Sequence, residues 1–318
     1  MEIIRFVKRW ILPCAMVLGA CVYLLFSRVR PLEPVGDAVG PVLLEAMPVL
    51  IFAMLYVTFC KIRLHDLRLS PWHIWLQVIR VAVAGLLVLA MSRLGAQPRL
   101  VCEGVFVCVM CPTAAAAAVI TEKLGGSIAS MTVYTLLDNG LTALLIPLLF
   151  PLVEQGADIT FATSFAVILE KVALVLILPF LAAMATRRWL PSLAARIKGA
   201  KSLAFYIWAF NLSIVMGMTM HNILTARVHG LTLAMLIMLP LAVTLGLFAI
   251  GKGTGRHYGD SISAGQAMGQ KNTIVGIWLT VTYLNPTAAI APCAYVVWQN
   301  CLNAWQLWCK ERYGRLLW

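Results

Sequence analysis

Ten apolar stretches follow one another along this chain, at about residues 11–26, 39–60, 73–93, 100–121, 127–153, 160–186, 202–225, 230–251, 257–284 and 287–309, with short polar links between them. A run of about 20 apolar residues crosses a bilayer as an α-helix, because a helix satisfies its own backbone N–H and C=O groups where no water can. Composition agrees: 61% of the 318 residues are hydrophobic and 12% charged, whereas a soluble domain is about 45–50% apolar. Strand alternation is absent, and the short amphipathic segments of a membrane barrel would not give runs this long. The expected fold class is all-α integral membrane, with ten transmembrane helices and no separate soluble domain. Arg5, Lys8 and Arg9 precede the first run as in a signal peptide, but no small-residue cleavage site follows before Arg28, so a retained helix is expected.

The net charge of +12 raises the question of nucleic acid, and the arrangement of the basic residues answers it. With a cytoplasmic N-terminus, seventeen Lys and Arg fall in inside segments, among them Arg5, Lys8, Arg9, Lys61, Arg63, Arg187, Arg188, Arg196, Lys198 and Lys201. Five fall outside, at Arg28, Arg30, Arg93, Arg99 and Arg227, and three, Arg80, Lys171 and Lys271, lie within spans. Positive charge flanking the inner ends of spans orients a membrane protein. A multi-pass protein of the cytoplasmic (inner) membrane with both termini cytoplasmic is expected, and no nucleic-acid partner.

Nine cysteines are scattered through or beside the runs. Cys108 and Cys111 form a C-x-x-C pair, but inside an apolar helix and without a second pair, so no metal or cofactor is expected. No paired acidic or histidine motif stands in the spans, which argues against an enzyme.

Two runs are interrupted. The fourth holds "CVMCPTAAAAAVITEKLGG", with Pro112 near mid-membrane; the ninth holds "SAGQAMGQKNTIVGIWLTV", with Gly265 and Gly269 before Gln270, Lys271 and Asn272. Dividing the chain near residue 156 gives two halves, 1–156 and 157–318, of five spans each. An odd number per half makes the second enter the membrane from the opposite side, which is an inverted repeat. Interrupted helices at matching places of inverted halves point to a transporter's binding site, because unwound backbone is tolerated only where it lines a cavity or is buried in protein. The alternative is that Pro112 merely kinks a helix and the alanines merely allow close packing.

The order "CP" plus small residues, then "GGSIASMTVYTLLDNGLTALLIPLLFPL", resembles the fourth and fifth helices of the bile acid:sodium symporter family, whose motif there runs C-P-G-G-x-x-S-N. "GQKNTIVGIWL" resembles the family's E-x-G-x-Q-N stretch, and "APCAYVVWQN" its proline-containing tenth helix. The resemblance implies a panel of spans 1, 2, 6 and 7 and a core of spans 3–5 and 8–10, in which broken spans 4 and 9 cross. Laid against the family motifs without gaps, the side chains that hold sodium fall on Ala117, Ala118, Met131, Thr135, Ala267 and Lys271. Only Thr135 keeps an oxygen for a cation, so sodium is not expected as the coupling ion.

Lys271 then stands where a cation would be, as a surrogate charge or as a group that exchanges a coupling proton. An ammonium at mid-membrane costs at least about 2.5–3.5 kcal/mol, so a partner or a wet cavity is expected. Asp138, about 17 Å along the fifth span at 1.5 Å per residue, is the expected partner, with Arg80 of the third span competing for it. A purely structural ion pair is the bland alternative. Among other in-membrane charges, Glu170 and Lys171 point to different faces of the sixth span and Glu45 lies near Pro48. His221 reads as interfacial, and Trp298, Trp305 and Trp308 as a lipid or packing stripe.

The resulting expectation is a secondary transporter of a small or amphipathic organic anion. Half-helix ends aim at the crossing, assisted by Lys271, Gln266, Gln270, Asn272 and Thr113, with Pro112, Thr135, Asp138, Asn139 and Arg80 as further site residues. The alternatives are a metalloid exporter of the related arsenite-carrier type using Cys111, and a membrane sensor or scaffold that kept the fold and lost transport.

Overall fold

The computed structural model of the protein describes residues 11–61, 68–114, 117–153, 160–200 and 203–318. The basic residues Arg5, Lys8, Arg9, Arg63 and Lys201, and Ala115 and Ala116 of the alanine run, lie outside them. Most of these residues are helical, and no strand is found among them. In order come α1 (Ile11–Arg28), α2 (Glu33–Cys60), α3 (Pro71–Met91), α4 (Ala96–Met110), α5 (Ala117–Leu124) and α6 (Ile128–Val153). Then α7 (Phe161–Val172) runs through a π-helical turn, Ala173–Ile177, into α8 (Leu178–Trp189), and the short α9 (Pro191–Gly199) leads to α10 (Leu203–Thr225). Last come α11 (Gly230–Arg256), α12 (Ser261–Gly269), α13 (Thr273–Tyr283) and, after a 3-10 turn at Pro286–Ala289, α14 (Ile290–Tyr313).

Among the described residues six helices are long and apolar enough to cross a membrane: α2, α3, α6, the run Phe161–Trp189, Tyr206–Thr225 and α11. Their outward faces carry bare apolar side chains such as Leu86, Leu89, Leu144 and Leu231. Such faces suit lipid, which has no polar group to lose, and would be a liability in water. The chain is a multi-pass integral membrane protein.

Contacts divide it into two compact units, one of Met1–Lys61 with Leu178–Arg227, the other of Ile62–Ile177 with Val228–Trp318. In the first, Tyr56 and Thr186 share a hydrogen bond at 2.9 Å and Phe59 meets Phe180 edge to face. In the same unit the Tyr23 hydroxyl meets His221 Nδ1 at 3.0 Å. The second unit holds both interrupted spans. Its helix α3 starts cleanly because Pro71 needs no N–H partner in the first turn, and the Ser70 N–H donates to His73 Nδ1 at 3.0 Å. Helix α11 presses on α12 so closely that a Cβ on Gly251 would overlap the Ala264 carbonyl, a contact only glycine allows. The Trp298 indole N–H donates to the Ile237 carbonyl at 2.9 Å, a packing role, while Trp308 is exposed.

Candidate functional site

Pro112 has no N–H and forces the residue before it out of the helical region. Cys111 accordingly adopts φ −49°, ψ 135°, and α4 ends at Met110. In the ninth span α12 ends at Gly269 and α13 starts at Thr273. The two breaks satisfy each other. Thr113 and Lys271 form an isolated antiparallel bridge; the Ala114 N–H donates to the Gln270 carbonyl at 3.0 Å, and the Asn272 N–H to the Pro112 carbonyl at 2.6 Å. The side-chain amide of Gln299, from α14, meets Lys271 on both backbone groups, accepting from its N–H at 2.9 Å and donating to its carbonyl at 3.2 Å. The Tyr295 hydroxyl donates to the Gly269 carbonyl at 2.7 Å. The two broken spans therefore meet at their breaks, where the carbonyl ends of α4 and α12 and the N–H end of α13 adjoin.

Beside the crossing lies a buried ion pair, Arg80 with Asp138, at 3.1 Å and with both side chains fully buried. Asp138 Oδ1 also accepts from Gln77 Nε2 at 2.7 Å, and Oδ2 from the Thr113 N–H at 2.6 Å and the Thr113 hydroxyl at 2.8 Å. Arg80 donates to Thr142 Oγ1 at 2.7 Å and to the Met110 carbonyl at 3.4 Å. The carboxylate thus ties α3 and α6 to the first residues of the fourth-span break.

The expected pairing of Asp138 with Lys271 is corrected: Arg80 takes the carboxylate. Its guanidinium, three residues after Gln77 on the same face of α3, reaches Asp138 together with the Gln77 amide, and Thr113 fills the other oxygen. Lys271 is buried, and its Nζ has no hydrogen-bond partner among the described residues; nor has the neighbouring Asn272 Nδ2. The cluster formally holds two cations, Arg80 and Lys271, against one carboxylate.

Of the other expected site residues, Pro112, Thr113, Gln270, Lys271 and Asn272 form the crossing itself. Gln266 stands one turn back, accepting from Gln270 Nε2 at 2.8 Å and donating to Gln306 Oε1 at 2.7 Å. Thr135 and Asn139 make no side-chain hydrogen bond to the crossing among the described residues: the Thr135 hydroxyl turns back to the Met131 carbonyl at 2.8 Å, and Asn139 Nδ2 to the Thr135 carbonyl at 2.7 Å. At the positions that the family resemblance sets against sodium ligands, Ala117, Met131 and Ala267 are fully buried, and their side chains carry no oxygen. The Cys111 thiol fills the space that a side chain on Gly276 would take. No group of three or more His, Cys, Asp or Glu among the described residues is placed to hold a metal ion.

Gln77, Thr142, Tyr295, Gln299 and Gln306 were not singled out from the sequence. Spacing marks the places of all but Tyr295, though not their roles: Gln77 precedes Arg80 by three residues, Thr142 follows Asp138 by four, and Gln299, Asn303 and Gln306 line one face of α14.

A family model described as Sodium Bile acid symporter family matches residues 48–226. The matched stretch contains Arg80, the fourth-span break and Asp138, and ends before α12. No curated protein matches the chain.

Proposed function

The chain belongs to the sodium bile acid symporter family, a family of membrane transporters, and from that premise we propose that it moves a small or amphipathic organic anion across the cytoplasmic membrane without sodium. The observation that carries this reading is the pair of buried, unpartnered donors, Lys271 Nζ and Asn272 Nδ2, next to the N–H end of α13. An ammonium buried in a low dielectric without a partner is costly. A carboxylate arriving at the crossing would supply the missing acceptor and balance the second cation, and the helix N-terminus would favour its charge.

Transport follows by alternating access. In this reading ten helices form two inverted repeats, residues 1–156 and 157–318, with both termini cytoplasmic. A core of spans 3–5 and 8–10, carrying the crossing, rocks against a panel of spans 1, 2, 6 and 7. The matched breaks support it, as does the compact unit of Met1–Lys61 with Leu178–Arg227, which holds spans 1, 2 and 7 and the second half of span 6. Lys271 serves as the surrogate for the coupling cation, holding its charge or exchanging a proton. Sodium independence is supported by the buried alanines and methionine at the matching positions, since a methyl group cannot replace a water ligand.

The test is a thermal-shift screen of purified protein against organic carboxylates in sodium and in potassium at equal ionic strength. A carboxylate that stabilises wild type in both salts, by mass action, and fails to stabilise Lys271→Gln supports the proposal. Stabilisation by no carboxylate would favour the sensor or scaffold alternative, and stabilisation by arsenite that Cys111→Ser removes would favour the metalloid one.

A further inference from the structure

Beside the crossing, three glutamine side chains are bonded in series. Gln270 Nε2 donates to Gln266 Oε1 at 2.8 Å, and Gln266 Nε2 donates to Gln306 Oε1 at 2.7 Å. Because Gln306 spends its oxygen on Gln266, its amide nitrogen faces away, and there the series stops: Gln306 Nε2 has no partner among the described residues. Nor do both polar atoms of Asn303, which precedes Gln306 by three residues on the same face of α14, or the hydroxyl of Thr121 on α5. All four side chains of this region, Thr121, Gln266, Asn303 and Gln306, are at most 3% exposed. Helices α5, α12 and α14, which carry them, belong to the same compact unit. None of these groups belongs to the Arg80–Asp138 pair or touches Lys271 Nζ by a hydrogen bond.

Buried polar atoms in folded proteins are almost always paired, with protein or with ordered water. Here the unpaired set is mixed in kind. Asn303 Nδ2 and Gln306 Nε2 can only donate, Asn303 Oδ1 can only accept, and the Thr121 hydroxyl does either. A metal cation would suit the oxygens and face two amide N–H groups; a halide would suit the amides and face Asn303 Oδ1. Water both donates and accepts, and a buried water takes two to four such partners.

We propose that ordered water fills a polar pocket between α5, α12 and α14, and that this pocket is the inner hydration route to the crossing. The mouth is marked by Ser127, an exposed residue whose N–H donates to Ser263 Oγ at 2.9 Å. From Ser263 the polar face of α12 passes through Gln266 to Gln270, roughly 10 Å at 1.5 Å per residue. Gln270 in turn holds the Ala114 N–H through its backbone carbonyl. Water that follows this face of α12 comes within one residue of Lys271. The pocket stands independently of which substrate the crossing takes.

The sign of a stability change tests this. Thr121→Val with Asn303→Leu replaces three of the four unpaired atoms by apolar groups of similar size. If the pocket is dry, those atoms are stranded, and removing them raises the melting temperature. If it holds water, the substitution displaces the water and leaves Gln306 unpaired, and the melting temperature falls, by on the order of 3 °C. Thr121→Val alone, which keeps the side chain's shape, is measured beside it in case the double variant does not fold, and the same direction is expected. A rise or no change overturns the proposal. An electron cryo-microscopy map at water-resolving resolution gives the second reading. Density within hydrogen-bond distance of both Asn303 and Gln306 is expected; an empty pocket, or density that disappears when chloride is replaced by gluconate, overturns the water assignment.

Discussion

Asp138→Asn and Lys271→Gln remove one charge each from the same buried cluster, and the geometry separates them. Asp138 is the acceptor for Gln77, for the N–H and hydroxyl of Thr113 and for the Arg80 guanidinium, at 2.6 to 3.1 Å. Each neighbour is a donor, so whichever way an asparagine turns, its NH₂ faces donors. Arg80, fully buried, also loses its counter-charge. Removing one partner of a buried ion pair costs about 3–5 kcal/mol, and at about 2–4 °C per kcal/mol for chains of 150–250 residues the melting temperature should fall by roughly 6–20 °C. Lys271→Gln breaks no ion pair and removes an unpartnered buried ammonium, so its melting temperature should stay level or rise while stabilisation by a carboxylate disappears. Tryptophan fluorescence during a thermal ramp of detergent-purified protein reads both variants. In double-mutant cycles the Arg80 and Asp138 changes should couple, by about 0.5–3 kcal/mol, and the Lys271 and Asp138 changes should couple less. Should Lys271→Gln fall as far as Asp138→Asn, with the larger coupling in its own cycle, the carboxylate belongs to Lys271 in the functional state and the assignment to Arg80 is wrong.

Carboxylate binding should be indifferent to exchange of sodium for potassium; a saturable tenfold gain in sodium, about 1.4 kcal/mol, would mean that backbone carbonyls rebuild the missing ion site. Gly276→Ala should destabilise the protein, because its Cβ would overlap the Cys111 sulfur, and a second change, Cys111→Ala, should restore the melting temperature; failure of that rescue would show that the close approach is not what matters at Gly276. Cysteines placed at the C-terminus or in the stretch 187–200 should react with impermeant thiol reagents only from the cytoplasmic side. Labelling from outside whole cells would refute the inside placement of Arg187, Arg188, Arg196 and Lys198.

The breaks in the helices were legible because they rest on local chemistry. A proline in an apolar run and glycines around a polar triplet have few other uses, and the chain does leave the helix at Cys111 and at Gln270. The residues of the crossing could be named for the same reason. Pairing was not legible, since which cation meets Asp138 depends on the rotation of α3 about its axis and on the Gln77 amide beside Arg80, and one-dimensional depth counting is blind to rotation. The roles of Gln299 and Tyr295 were equally hidden. A glutamine on a mostly apolar helix carries no sign that its amide will complete the backbone of a residue 28 positions away. Thr135 keeps an oxygen at the expected position, and its hydroxyl hydrogen is committed to its own helix, a bond that spacing does not announce.

The joint between the two breaks is drawn almost entirely in main chain: Ala114 to Gln270, Asn272 to Pro112, and the bridge of Thr113 with Lys271. Peptide groups are common to every residue, so mutation at most of these positions exchanges the side chain and leaves the joint in place. Side chains there can thus differ between relatives, as the family resemblance implies at Ala117, Ala267 and Lys271, without a new folding problem to be solved first. Pro112 is the exception, because its ring creates the break that its carbonyl then helps to close. A lineage could change what drives its transport in single steps, each passing through a protein that still assembles.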